Sequence, residues 1–174
     1  MKPSTVLTVA ALSGIPVLTA LGLALTLHHH PHEVAFSDQG VNVVMRLSQD
    51  GDRLLTTFTP QRPGFHLSSV GLPAGGIEGF GRPTATRIEV GGALRSRGPL
   101  VAQAPVRMLP VRGTHLAVPA YPDGPVTTEL PVAVDEHGDA RVVVSYAACS
   151  SQVCLLPVTG HPVEIPAAAL ADMR

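Results

Sequence analysis

From Val34 onward, apolar and polar positions alternate in short runs that are cut by turn residues. Val41, Val43, Met45 and Leu47 fall on one side of an extended segment, and Asn42, Val44, Arg46 and Ser48 on the other. That period of two predicts a strand with one buried face. Gln49-Asp50-Gly51-Asp52 carries the Asp-Gly hairpin signal, and Leu54, Thr56 and Phe58 alternate on the returning strand. Residues 60–64 break the run, and Phe65-His66-Leu67 begins another short extended piece. Residues 71–83, rich in Gly and Pro, read as a long loop. The next strand spans residues 84–90 and is closed by Gly91-Gly92. Residues 94–110 are poorly patterned, with 106–111 extended, a short strand at 116–118 and a turn region at 119–125.

Thr128, Leu130, Val132 and Val134 share a face, with Pro131 expected to mark an edge or a bulge. Residues 135–139 form a turn, and residues 141–146 are the strongest strand in the chain. If that strand continues, Val143, Ser145 and Ala147 lie on the same face as Cys149. Residues 163–165 form a last short strand, and only residues 166–174 look helical, as a frayed tail. About seven to nine short strands at this spacing predict an all-β, immunoglobulin-like antiparallel β-sandwich. No internal repeat is visible.

A different pattern precedes it. Residues 6–27, bounded by Val6 and Leu27, are uncharged throughout. Roughly 20 apolar residues span a bilayer as a helix, and a kink at Pro16 is tolerated there. Lys2 lies on the short N-terminal flank, and Glu33 and Asp38 follow on the far side. Positive-inside reasoning then places the N-terminus in the cytoplasm and the β-domain on the extracytoplasmic side, periplasmic or extracellular. A cleaved signal peptide is the alternative, with Ala20-Leu21-Gly22 or Gly22-Leu23-Ala24 as cleavage sites, though both lie inside the apolar run. The expected organisation is an anchor or signal segment at 1–27, a His-rich linker at 28–33, the sandwich at 34–166 and a tail at 167–174. Either N-terminal reading delivers the domain to a compartment where disulfides form.

Composition narrows the function classes. The formal net charge is −1, Lys2 is the only lysine, and basic residues are not bunched, so nothing suggests nucleic acid as a partner. Aromatic content is 3% with no Trp, which leaves no stacking platform for bases. The acidic residues are scattered and suggest no hard-metal cage. His28, His29, His30 and His32 offer imidazoles that suit Zn, Cu or Ni, but adjacent histidines without fixed geometry read first as a polar collar at the membrane surface.

The chemistry lies in Cys149 and Cys154, the only two cysteines in 174 residues. A disulfide between them would close a six-residue loop, for which chain entropy gives about 2 kcal/mol, against nearly 5 for a loop of about 100 residues. The pair would pin nothing remote, yet two neighbouring thiols form and break a bond intramolecularly. Redox function and a structural bridge both remain open on spacing alone, with copper or zinc binding a lesser alternative. No Cys-x-x-Cys is present, two thiolates are too few for structural zinc, and His161 is the nearest cation candidate for a reactive thiolate.

Residues 144–159, with Tyr146, Cys149, Cys154 and Pro157, resemble the N-terminal periplasmic domain of the thiol:disulfide interchange protein DsbD. A second stretch resembles it too, through Pro63-Gly64-Phe65-His66-Leu67, then residues 72–77 and 79–84 in the same order. The resemblance spans roughly residues 34–166. It implies an immunoglobulin-like domain in which Cys154 forms mixed disulfides with partners and Cys149 resolves them, with no small-molecule cofactor. It also implies a protein-disulfide reductase or relay component, with extracytoplasmic thiol or disulfide proteins as partners, including those of cytochrome c biogenesis. In the family a cap loop shields the disulfide. The corresponding region here falls within 103–121, where Met108, Leu109 and Tyr121 are candidates for the shielding residue or for ordinary packing. Phe65 and His66 stand where the family has aromatic residues near the site, and on their own read as a core Phe and a surface His. Family members continue into a multi-helix membrane domain and a thioredoxin-like domain. The sequence here ends at Arg174, so a separate membrane electron donor is expected. The alternatives are a non-enzymatic interaction module with a structural disulfide, or a copper-handling domain.

Overall fold

The structure is a computed structural model that describes residues 33–73, 77, 83–111, 113–135 and 137–173. The apolar run at 6–27 and His28, His29, His30 and His32 lie outside these residues. Among the described residues no helix is long and apolar enough to cross a membrane.

The chain runs through β1 (Val34–Asp38), β2 (Val41–Leu47), β3 (Arg53–Pro60), β4 (His66–Leu67), β5 (Arg87–Gly92), β6 (Leu94–Ser96) and β7 (Val101–Ala102). It continues with β8 (Arg107–Pro110), β9 (Ala117–Ala120), β10 (Val126–Val134), β11 (Ala140–Tyr146), β12 (Ala148–Cys149), β13 (Val158–Ile165) and a short helix α1 (Ala167–Asp172). The first sheet has the order β1-β2-β3-β10-β6, with β7 also on β10, and the second has the order β13-β11-β5. All pairings are antiparallel. The architecture is all-β, consistent with an immunoglobulin-like class.

The alternating residues point where their period requires. Val41, Val43, Met45 and Leu47 of β2 and Leu54, Thr56 and Phe58 of β3 are buried. Opposite them stand Ala140, Val142, Val144 and Tyr146 of β11. One apolar cluster unites the inner faces of both sheets. Phe58 and Tyr146 meet across it edge to face, with ring centroids 5.5 Å apart, a geometry favoured by the ring quadrupoles.

Several local expectations are refined. Gln39 and Gly40 both have positive φ, 44° and 70°, which makes the β1–β2 connection a two-residue turn of the kind that matches strand twist. Pro131 marks neither an edge strand nor a lone bulge. β10 is an interior strand with β3 on one side; on its other side β7 pairs with Thr128 and Glu129, and β6 takes over from Val132. A residue with no N–H suits a point where the neighbour changes. Gly91 and Gly92 do not close β5 but belong to it, paired with Arg141 and Ala140. Gly92 has φ 67°, and a Cβ there would run into the backbone oxygen of Asp139, so glycine permits the close approach. β13 begins at Val158, earlier than expected, because Gly160 and Pro162 disguise its period. The C-terminal helix is docked rather than frayed: Leu170 and Met173 are 3% and 2% exposed and join the core cluster.

Candidate functional site

The route from the core to the cysteines involves a break in β11. Its register against β13 shifts between Val144 and Tyr146, and Tyr146↔Val158 is the last pair. Tyr146, Ala147 and Ala148 are then buried consecutively, which a regular strand with one inner face cannot do. The expectation that the strand runs on to place Cys149 on the face of Val143 and Ser145 is therefore not met. The chain leaves the second sheet, and β12 pairs instead with β4, bringing Ala148 opposite Leu67 and Cys149 opposite His66.

Cys149 and Cys154 face each other as an antiparallel bridge and are joined by a disulfide, with their Cα atoms 3.9 Å apart. Residues 150–153 reverse the chain between them. The Ser150 N–H donates to Val153 O at 2.7 Å, and the Leu155 N–H to Ala148 O at 2.9 Å, on the two sides of the disulfide. The Ser150 hydroxyl accepts the N–H groups of Gln152 and Val153, at 3.2 and 3.1 Å, and donates to Val153 O at 3.2 Å. The turn is thus closed by backbone and serine bonds that involve no sulfur. Leu155 approaches the β1–β2 turn so closely that a Cβ on Gly40 would lie 3.2 Å from its Cδ1. Cys154 is exposed and Cys149 half-buried. Val153 and Leu156, beside Cys154, are 55% and 72% exposed.

Further segments extend this small sheet. On the other side of β4, the Tyr121 N–H donates to Leu67 O at 2.9 Å and the Gly124 N–H to Phe65 O at 3.2 Å, so residues 121–124 run beside residues 65–67. The β8–β9 hairpin adjoins them through the Ser68↔Ala120 bridge. The Nδ1–H of His66 donates to Asp123 Oδ1 at 3.3 Å. Directly opposed residues share a face of a sheet, so Cys154, Cys149 and His66 stand in one row on one face, with Asp123 bonded to the end of it. The His66 side chain is only 13% exposed, neither a core residue nor the surface histidine read from the sequence. The resemblance put His66 near the site; its pairing with Cys149 itself left no local pattern, because the two lie far apart in the chain.

The other sequence candidates divide between core and surface. Tyr146 is 1% exposed, and its hydroxyl donates to Asp38 O at 2.8 Å. Burial, and secondarily the Asp38 charge, push its phenol well above the usual tyrosine range. Tyr146 thus ties the second sheet to the β1–β2 hairpin. His161 binds Asp38 Oδ2 through Nδ1 at 3.0 Å and stacks on Phe36 at 4.1 Å, so its partners are these and not Cys154. Phe65 and Tyr121 are core residues, with the Tyr121 hydroxyl accepting the Val70 N–H at 3.1 Å. Met108 is 62% exposed, Leu109 is half-buried, and Pro157 is exposed. Among the described residues no group of three or more His, Cys, Asp or Glu side chains is placed to hold a metal ion.

No family model matches the chain, and no curated protein matches it. Its structural neighbours are DsbD-like N-terminal domains. The N-terminal domain of Neisseria meningitidis DsbD in the reduced form is similar at 12% identity and a TM-score of 0.49, over 74% of this chain and 86% of that one. The N-terminal periplasmic domain of ScsB from Proteus mirabilis is similar at 17% identity and a TM-score of 0.48, over 76% of this chain and 50% of that one. The roles of individual residues rest on this chain's own geometry.

Proposed function

We propose that this protein is an extracytoplasmic thiol–disulfide exchange domain, held at the membrane by residues 6–27, in which Cys149 and Cys154 relay electrons to partner proteins. The observation that carries the reading is the asymmetry of the disulfide: Cys154 is exposed and Cys149 half-buried, in a hairpin that closes without the sulfurs. Exchange proceeds by attack of a thiolate on a disulfide sulfur through a mixed disulfide. In the reduced domain, the Cys154 thiolate attacks a client disulfide, bonds to one client sulfur and releases the other as a thiolate. The Cys149 thiolate then attacks Cys154 Sγ, re-forms the internal disulfide and releases the second client sulfur. The client leaves as a dithiol, and a separate membrane electron donor restores the domain. The exposed side chains of Val153 and Leu156 beside Cys154 suit a protein client.

The test is a cysteine trap in cells. Cys149→Ser leaves Cys154 able to attack and nothing to resolve the product, so a covalent client complex accumulates that reductant releases. If neither Cys149→Ser nor Cys154→Ser accumulates any mixed disulfide, the relay reading fails.

The alternative is an interaction module with a structural disulfide, a reading that the short spacing of the cysteines alone leaves open. A reduction potential well below about −300 mV is the mark of such a resistant bridge, and a less negative value supports exchange.

A further inference from the structure

The exchange chemistry lacks one component in the sequence around the cysteines. A thiol reacts as its thiolate, and Ser150, Ser151 and Gln152 beside Cys149 are neutral. His161, the cation suggested by the sequence, is engaged with Asp38 and Phe36. The fold instead sets His66 directly opposite Cys149. Opposed residues on one face of an antiparallel pair have Cβ atoms about 5 Å apart, within reach of an imidazole. A carboxylate can only accept a hydrogen bond, so the contact with Asp123 Oδ1 places the proton on Nδ1. That leaves the lone pair of the neutral ring on Nε2.

We propose, resting on the exchange reading above, that His66, oriented by Asp123, takes the proton of the Cys149 thiol as that thiol resolves the mixed disulfide on Cys154. The arrangement is that of a nucleophile, its base and a third group that orients the base. In the resolving step the Cys149 S–H proton passes to His66 Nε2. Cys149 Sγ then bonds to Cys154 Sγ, and the bond from Cys154 to the client breaks. The client sulfur leaves as a thiolate and is protonated by the imidazolium or by water. Two thiols of the domain have become a disulfide, and one client disulfide has become two thiols. Histidine suits this step because one nitrogen of a neutral imidazole offers a lone pair while the other donates to the carboxylate. Asp123 meets the ring from one segment beside β4, and Cys149 stands opposite His66 on the other.

The experiment uses the reduced 174-residue chain and glutathione disulfide as the probe client, followed by rapid quench from pH 5 to 9. Release of the first glutathione reports attack by Cys154, and release of the second reports resolution by Cys149. His66→Gln is expected to leave the first release unchanged and to slow the second at pH 7 by roughly ten- to hundredfold. Its pH profile should follow an unassisted thiol ionising near about pH 8.5. Asp123→Asn, an exposed position, is expected to move the resolution profile toward that of His66→Gln and slow resolution at pH 7, because the carboxylate fixes the tautomer and orientation of the ring. A second release in His66→Gln with the wild-type rate and profile overturns the proposal while leaving exchange intact. Should His66→Gln misfold, Asp123→Asn decides, and an unmoved profile overturns it. A wild-type chain that forms no mixed disulfide, or never releases the second glutathione, removes the exchange reading and this proposal with it.

Discussion

Reducing the disulfide should cost the fold little. Cys149 and Cys154 enclose six residues counting both ends. The chain-entropy expression gives a loss of about 7 cal/mol/K for so short a loop, or about 2 kcal/mol at 25 °C. That is an upper bound here, because the same turn is closed independently. Ser150 N–H to Val153 O, Leu155 N–H to Ala148 O and the three bonds of the Ser150 hydroxyl restrict the loop with or without the sulfur bond. For a domain of this size, 2 kcal/mol corresponds to a fall in Tm of roughly 4–8 °C, so reduction should lower Tm by no more than that. The assay is thermal unfolding of the oxidised and fully reduced chain by circular dichroism, with the reduced sample blocked after the scan to count free thiols. Far-UV spectra should superimpose before the transition. Loss of the folded spectrum on reduction, or a fall in Tm of more than about 15 °C, would refute the argument and make the bond a staple.

Two further expectations concern the core. Thr56 Oγ1 is buried without a hydrogen-bond partner among the described residues, so Thr56→Val should stabilise the protein by about 1 kcal/mol in denaturant melts; destabilisation would mean that the hydroxyl has a partner. Tyr146 has a phenol pKa raised by burial and then by Asp38, so the folded state holds the proton that the unfolded chain releases near about pH 10. Its contribution is therefore complete below that pH and lost as pH rises above it. Tyr146→Phe should cost about 1–2 kcal/mol at pH 7 through the lost bond to Asp38 O, and should flatten the alkaline fall in stability seen by urea unfolding between pH 8 and 11.

What could be read in the sequence follows from the range over which its signals act. The period of two along residues 41–47 and 54–58 set the inner faces of β2 and β3, because burial on one face leaves its mark on every second residue. The same reasoning failed where the backbone leaves that period. After a register shift between Val144 and Tyr146, three residues from Tyr146 onward are buried in succession and the chain moves to another sheet. Gly91 and Gly92 resembled a strand end but serve a close approach to Asp139. The helix at the C-terminus was recognised, but its docking through Leu170 and Met173 depends on the space the sandwich leaves. The cysteine pair was conspicuous by count and spacing. Its neighbours His66 and Asp123 were not, since register between distant segments leaves no local trace. The resemblance drew attention to Phe65 and His66 together, and burial divides them: the phenyl ring enters the core, and the imidazole lies in the cysteine row.

The bonding of this hairpin bears on its proposed use. A redox pair must hold its sulfurs close in both states, since the resolving step is fast only when the second thiol is already beside the first. If the disulfide itself supplied that closeness, reduction would release the two thiols from one another. Here the closeness is supplied by Ser150, by the Leu155 N–H on Ala148 O, by the contact of Leu155 with the turn at Gly40 and by the pairing of β12 with β4. None of these bonds involves a sulfur atom, so none depends on the S–S bond. The two sulfurs nevertheless differ in surroundings: Cys154 is exposed beside Val153 and Leu156, and Cys149 is half-buried opposite a histidine bonded to a carboxylate. A bridge kept only for stability would draw no advantage from that difference. Sequential exchange requires it, because the sulfur that meets a client must be reachable from outside, while the sulfur that releases the client must be shielded until the first bond has formed.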